Sequence, residues 1–160
     1  MEIRYEITVL EYVEGRSKKY YVGLVPDPSI TTHSALRDFG LVGYGRIGSA
    51  GNWRFVTLDE YDELLRKKIA KGYAPLDLRT ESYLSPAMTD KILDTIKAHM
   101  EALGLFLRDM RVGLTSTTLT IVSDVSTIAN TDFEKPEKPK KPEKPEKPER
   151  ITDFSWAGGW

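Results

Sequence analysis

Aromatic and arginine side chains lie close together within residues 41–56, a combination that can stack on a flat ring and hold an anion. The pattern favours two strands joined by a glycine-rich turn over residues 48–51. Side chains alternate across a strand, so Tyr44 and Arg46 share one face, and this turn would put Trp53 opposite Arg46. A ring can stack on a base or sugar while the guanidinium binds a phosphate. The alternative is that the rings belong to the core and Arg46 is a surface charge.

The same stretch matches the dinucleotide-binding pattern G-x-G-x-x-G over residues 43–48. That motif works because its last glycine opens a helix whose N-terminus binds the pyrophosphate. Here Gly48 is followed by Ser-Ala-Gly-Asn-Trp-Arg-Phe-Val, which favours a turn and a strand. We therefore expect no nucleotide cofactor.

An amphipathic helix is predicted after this hairpin. Thr57 is its expected N-cap, with the Glu60 carboxylate reaching back to the Thr57 amide, and Gly72 suits the position after its end. Lys67, Lys68 and Lys71 lie at the C-terminal end of the helix, where their positive charges suit the negative end of the helix dipole. They could also reach a phosphate, or simply be solvated.

The ordered series of these features resembles a WGR domain, a family named for its Trp-Gly-Arg motif. The resemblance rests on Tyr-Gly-Arg-Ile-Gly-Ser-Ala-Gly-Asn at 44–52, the helix, Lys-Gly-Tyr at 71–73, and a hairpin-like run at 10–22. It spans about residues 3–77 and implies a small antiparallel sheet with one packed helix. In poly(ADP-ribose) polymerases such domains bind DNA ends near a 5′ phosphate, so the resemblance implies DNA, or RNA, as a partner. With the neighbouring rings and cations added, the expected nucleic-acid-binding residues are Tyr44, Gly45, Arg46, Trp53, Arg54, Lys67 and Lys71.

Two features depart from the family pattern. Tyr44 stands where the family has its tryptophan, which keeps a stacking ring but makes it smaller. Residues 26–39 form an insertion where the family has a short turn, and we expect a polar, mobile loop there. The polymerase catalytic domain is absent, so the resemblance implies no enzymatic activity.

Composition excludes several classes of function. The chain has 160 residues, a net charge of −1 and no cysteine, which excludes disulfides and thiolate metal sites. His33 and His99 are far apart, and no nucleophile with an adjacent base is visible, so we expect neither a metal, a cofactor nor an enzyme. No apolar run approaches the roughly 20 residues of a membrane span, which favours a cytoplasmic, intracellular protein. Residues 1–78 contain 11 Lys plus Arg and 11 Asp plus Glu, a balance that counts against nucleic-acid binding.

The first hairpin carries a second group of rings and cations. Lys18 and Lys19 precede Tyr20 and Tyr21. Because neighbouring side chains of a strand point to opposite faces, one of the two rings is expected to face away from the core. Lysines beside rings suit a nucleic-acid surface, although they also protect a sheet edge.

Three segments follow the WGR-like domain at 1–78. Residues 79–133 predict a helix plus β-hairpin extension, with Ser-Pro at 85–86 as the helix start. Residues 134–150 repeat Lys-Pro-Glu with proline at every third position, which predicts a stiff polyproline II linker. Residues 151–160 are too short to fold alone and predict a disordered tail that binds a protein groove through Phe154, Trp156 and Trp160. The alternative is that the tail folds back onto its own domain.

Together these features predict an α+β protein that acts as a non-catalytic, nucleic-acid-binding adaptor. The WGR-like surface would hold DNA or RNA, and the tethered aromatic tail would recruit a protein partner. The alternative is a protein–protein interaction or structural module that does not bind nucleic acid.

Overall fold

A curled antiparallel sheet forms the centre of the molecule, with helices on both of its faces. The computed structural model describes residues 1–78 and 81–127. Within these ranges the strands are β1 (Glu2–Glu14), β2 (Ser17–Pro26), β3 (Phe39–Arg46), β4 (Asn52–Thr57), β5 (Ala74–Pro75), β6 (Leu105–Leu114) and β7 (Thr118–Thr127). The helices are α1 (Ser34–Arg37), α2 (Leu58–Ala70) and α3 (Pro86–Glu101). The predicted α+β class with an antiparallel sheet is confirmed.

The strands lie in the order β4-β3-β2-β1-β7-β6, and the short β5 pairs with β1 beyond the end of β7. Residues Met1–Ser126 form one compact unit. The predicted linker at 134–150 and the tail with Phe154, Trp156 and Trp160 lie outside the described residues.

Alternation along β1 builds the larger core. Ile3, Tyr5 and Ile7 are at most 7% exposed and point to the face that α3 covers. Ile92, Ile96 and Met100 fall at helical spacing on α3 and are fully buried against that face. The helix begins as predicted: Ser85 Oγ accepts from the Met88 amide at 3.1 Å.

The opposite face of the sheet is covered by α2 around Tyr21 and Val42, so both faces of β2 are covered there. Tyr20 packs in the α3-side core and Tyr21 in the α2-side core, and both are at most 2% exposed. The expectation that one of these rings faces away from the core is therefore wrong. It assumed a single covered face, whereas two helices bury opposite faces of β2.

The insertion at 26–39 is a packed segment. It contains α1, whose Leu36 is fully buried, and Thr31 is only 1% exposed. Thr31 Oγ1 accepts from the Arg4 amide at 2.8 Å and donates to the Arg4 carbonyl at 3.1 Å. The expectation of a polar, mobile loop is wrong because these bonds and one apolar side chain attach the insertion to β1.

Candidate nucleic-acid interface

Two strands place Tyr44 and Arg46 beside a lysine that the sequence prediction omitted. In the β2–β3 ladder, Tyr21 pairs with Tyr44 and Lys19 pairs with Arg46. Directly paired residues of antiparallel strands lie side by side on one face. Tyr44 is 40% exposed, and Lys19 and Arg46 are both exposed. The predicted juxtaposition of Tyr44 and Arg46 on one strand face is therefore present, with a second cation beside Arg46.

The C-terminal end of α2 brings further groups to the same place. Tyr61 and Leu64 occupy the apolar stripe of α2, and Lys68 continues that stripe one turn later. Lys71 is the C-cap, and Gly72 takes a φ of 101° that returns the chain toward β1. We call Lys19, Tyr44, Arg46, Lys68, Lys71 and Tyr73 the basic–aromatic patch.

Three adjoining depressions run along this patch, and Lys68 lines all of them. The first, of about 370 Å³, is lined by Tyr12, Ser17, Lys19, Lys68, Lys71 and Tyr73. The second, of about 320 Å³, is lined by Lys19, Tyr20, Tyr44, Gly45, Arg46, Lys68 and Tyr73. The third, of about 180 Å³, is lined by Tyr21, Val42, Tyr44, Arg54, Leu64 and Lys68. Because they share these lining residues, the three depressions adjoin one another, and we call the row of three the trough.

Lys68 is the most constrained cation of the patch. Its Nζ lies 5.0 Å from the centroid of the Tyr73 ring and 5.4 Å from that of Tyr21, which is cation–π range. Burial lowers the pKa of the Lys68 ammonium below its usual value, and the charges of Lys71 and Lys19 lower it further. A bound anion would relieve this repulsion between like charges.

Within the part of the chain that the structure describes, the cations of the patch have no protein counter-ions. Among residues 1–78 and 81–127, no carboxylate forms an ion pair with Lys19, Arg46, Lys68 or Lys71. A carboxylate lies beside the first depression, where the hydroxyl of its lining residue Tyr12 donates to Glu14. Four positive charges are thus available to an external anion.

Other expected contact residues lie at the edge of the patch or outside it. Arg54 borders the third depression, but its Nη1 forms an ion pair with Glu60 at 3.3 Å. That contact also corrects the capping prediction: Thr57 Oγ1 accepts from the Glu60 amide at 3.2 Å, while the Glu60 carboxylate binds Arg54. Lys67 is paired with Glu63 at 3.3 Å and lines none of these three depressions.

Trp53 lies on the other face of the sheet, and its expected position opposite Arg46 is wrong. Tyr44 pairs with Asn52 and Trp53 pairs with Gly43, three residues from the expected partner Arg46, and an odd shift in register puts Trp53 on the other face. Trp53 packs in the α3-side core, and its indole N–H donates to the Ala50 carbonyl at 2.7 Å. A Cβ at position 43 would lie 2.4 Å from the Trp53 ring, so only glycine fits beneath it.

Gly45 lines the second depression, and its lack of a side chain has a definite cause. A Cβ there would lie 2.9 Å from Ser49 Oγ and 3.0 Å from Gly51 Cα. The turn folds back over this position, and the Tyr20 hydroxyl donates to the Ser49 carbonyl at 3.1 Å from the core side. The lack of a side chain at Gly45 therefore lets the turn close behind Arg46.

Three groups of the patch were not among the expected nucleic-acid-binding residues: Lys19, Lys68 and Tyr73. Lys68 has a usable signal, since it follows Tyr61 and Leu64 at the spacing of the packed stripe. Lys19 beside two rings and Tyr73 in the Lys-Gly-Tyr run were noticed in the sequence, but their places in the patch depend on strand pairing and on the path of the chain after α2.

Comparison of this chain with protein-family models, with curated proteins and with solved structures found no match. No cluster of three or more potential metal-ligating side chains occurs in the described ranges. Of the helices in residues 1–78 and 81–127, none has the length and apolarity needed to cross a membrane.

Proposed function

We propose that this chain is a non-catalytic nucleic-acid-binding adaptor that binds its ligand at the basic–aromatic patch. The observation that carries the proposal is the trough, where tyrosine rings lie beside four cations that have no counter-ion among residues 1–78 and 81–127. Nucleic acids offer both matching groups, since their phosphates are anionic and their bases are flat and apolar. Each neutralised phosphate releases counter-ions, and each ring can stack on a base.

The resemblance to a WGR domain supports the same ligand. Under that resemblance Tyr44 and Arg46 occupy the aromatic and arginine positions of the motif, and both border the second depression. We propose on this basis that residues 3–77 are a WGR-like module and that DNA is the preferred partner. DNA ends with a 5′ phosphate are the first ligands to test.

The adaptor part of the proposal comes from the sequence after residue 133. The Lys-Pro-Glu repeat would hold the aromatic residues of 151–160 away from the folded part, where they could enter a groove of a protein partner. One part of the chain would then bind nucleic acid while the other recruits a protein.

A protein-interaction module without nucleic-acid binding is the second candidate. The equal numbers of cations and anions in residues 1–78 favour it, since a neutral domain exerts little long-range attraction on DNA. It predicts that no binding of nucleic acid is detected at any salt concentration, and that capture of a partner is lost when Trp156 and Trp160 are replaced.

The two candidates are separated by fluorescence anisotropy with the full chain. The probes are a blunt duplex with a 5′ phosphate, the same duplex with a 5′ hydroxyl, and the corresponding single strand. We expect binding that weakens with salt and falls at least about tenfold in the double variant Tyr44→Ala/Arg46→Ala. Lys91→Ala is the matched control because Lys91 is exposed on α3, on the opposite side of the sheet. Equal loss in the control variant, or no binding to any probe, would refute the proposal.

A further inference from the structure

We infer that the basic–aromatic patch takes a single-stranded segment of nucleic acid, with unpaired bases in the trough. The inference rests on the proposed function and specifies the form of its ligand. It follows from the shape of the site and from the order of its side chains.

The site is concave on the scale of single nucleotides. The two larger depressions have volumes of about 370 and 320 Å³, and both are lined by Lys19, Lys68 and Tyr73. Volumes of roughly 300 Å³ and above accommodate small organic ligands, so each depression can admit one base with its sugar. A double helix is too broad to enter either of them.

The tyrosine rings can stack only on a base whose flat face is uncovered. Tyr12 and Tyr73 form one group at the first depression, with centroids 5.3 Å apart and planes tilted by 33°. Tyr44 forms the second group, between the second and third depressions. Within a duplex each base is covered by its neighbours in the stack, whereas an unpaired base can turn its face to a protein ring.

The cations lie between and beside the two groups of rings. Lys68 separates the two groups of rings, while Lys19 and Arg46 stand on the adjoining strands. This order matches a single backbone that passes over the cations while successive bases reach the rings on either side. The Glu14 carboxylate at Tyr12 and the Arg54–Glu60 ion pair bound the cationic stretch at its two ends. The stretch between them suits only a few nucleotides.

The test compares three fluorescent probes on the full chain at one salt concentration: an eight-nucleotide thymidine strand, a blunt duplex containing it, and an abasic phosphodiester of equal length. We expect the thymidine strand to bind at least about tenfold more tightly than both others, since one stacked base contributes about that much. Tyr44→Leu should lose most of this preference over the abasic probe, and Tyr44→Phe, which keeps the ring, should retain it.

The outcomes are distinguishable from failure of the proposed function. Duplex binding equal to or tighter than that of the single strand would overturn the inference and leave nucleic-acid binding intact. Equal affinity for the thymidine and abasic strands would overturn base stacking in the trough. Absence of salt-dependent binding to every probe would overturn the proposed function itself.

Discussion

The number of free cations in the basic–aromatic patch predicts how steeply binding should depend on salt. Lys19, Arg46, Lys68 and Lys71 have no carboxylate partner among the described residues, while Arg54 is engaged by Glu60. If each free cation neutralises one phosphate, the slope of log K against log salt is about −2.8 for a single strand and about −3.6 for a duplex. Removing one cation should flatten the slope by about 0.7 to 0.9. A fourfold rise in salt should then weaken binding to a single strand by about 50-fold.

The perturbation is Lys71→Gln, measured by fluorescence anisotropy across a salt series with the full chain. Lys71 is exposed at the C-cap of α2 and lines the first depression, so its replacement leaves the core unchanged. Lys91→Gln removes the same charge from α3 and should leave the slope unaltered. A slope near zero for the native chain, or equal flattening by both variants, would refute the assignment of these cations to the ligand.

Two further predictions concern the scaffold. Gly23→Ala should lower the free energy of unfolding by about 1–3 kcal/mol, because the added Cβ would lie 2.2 Å from the Tyr61 hydroxyl oxygen under α2. Gly113→Ala is the control, because a Cβ at position 113 would have no atom within 4 Å beyond its chain neighbours. Equal urea midpoints for the two variants would contradict the packing described. Burial raises the pKa of Tyr5 above its ordinary 10.0, so the native state retains a proton that the unfolded chain releases above about pH 10. Stability should therefore be unaffected by Tyr5 below that pH and fall above it by up to about 1.4 kcal/mol per pH unit, and a urea midpoint that is constant from pH 9 to 11 would contradict this.

Local features of the fold were predictable because they depend on residues close in sequence. Thr57 and Ser85 begin helices where the capping patterns placed them, and Gly72 ends α2 with the expected positive φ. These signals need no knowledge of which elements pack together. The α+β class followed from them together with the alternation in β1.

The wrong predictions concern the register of one strand pair and packing between elements that are distant in sequence. A shift of three residues in the β3–β4 pairing, which puts Gly43 and not Arg46 opposite Trp53, moves Trp53 to the other face, since every odd shift inverts the side-chain pattern. The glycines of the turn suit either register of the β3–β4 pairing, so composition alone could not decide between them. Likewise the burial of both Tyr20 and Tyr21 requires two helices on opposite faces, which neither residue's neighbours reveal.

The zero net charge of residues 1–78 does not argue against nucleic-acid binding, because the positive and negative charges lie in different places. In α2 the acidic residues Asp59 and Glu60 occupy the first turn, whereas Lys68 and Lys71 stand at the other end. At 1.5 Å per residue, these two groups are roughly 12 to 18 Å apart along the helix. The Debye length at physiological salt is about 8 Å, so the first-turn charge is largely screened at the two lysines, and the Glu60 carboxylate is paired with Arg54 at the third depression. The 11 cations and 11 anions cancel in the sum over the sequence, but the field at the trough is set by the cations that line it.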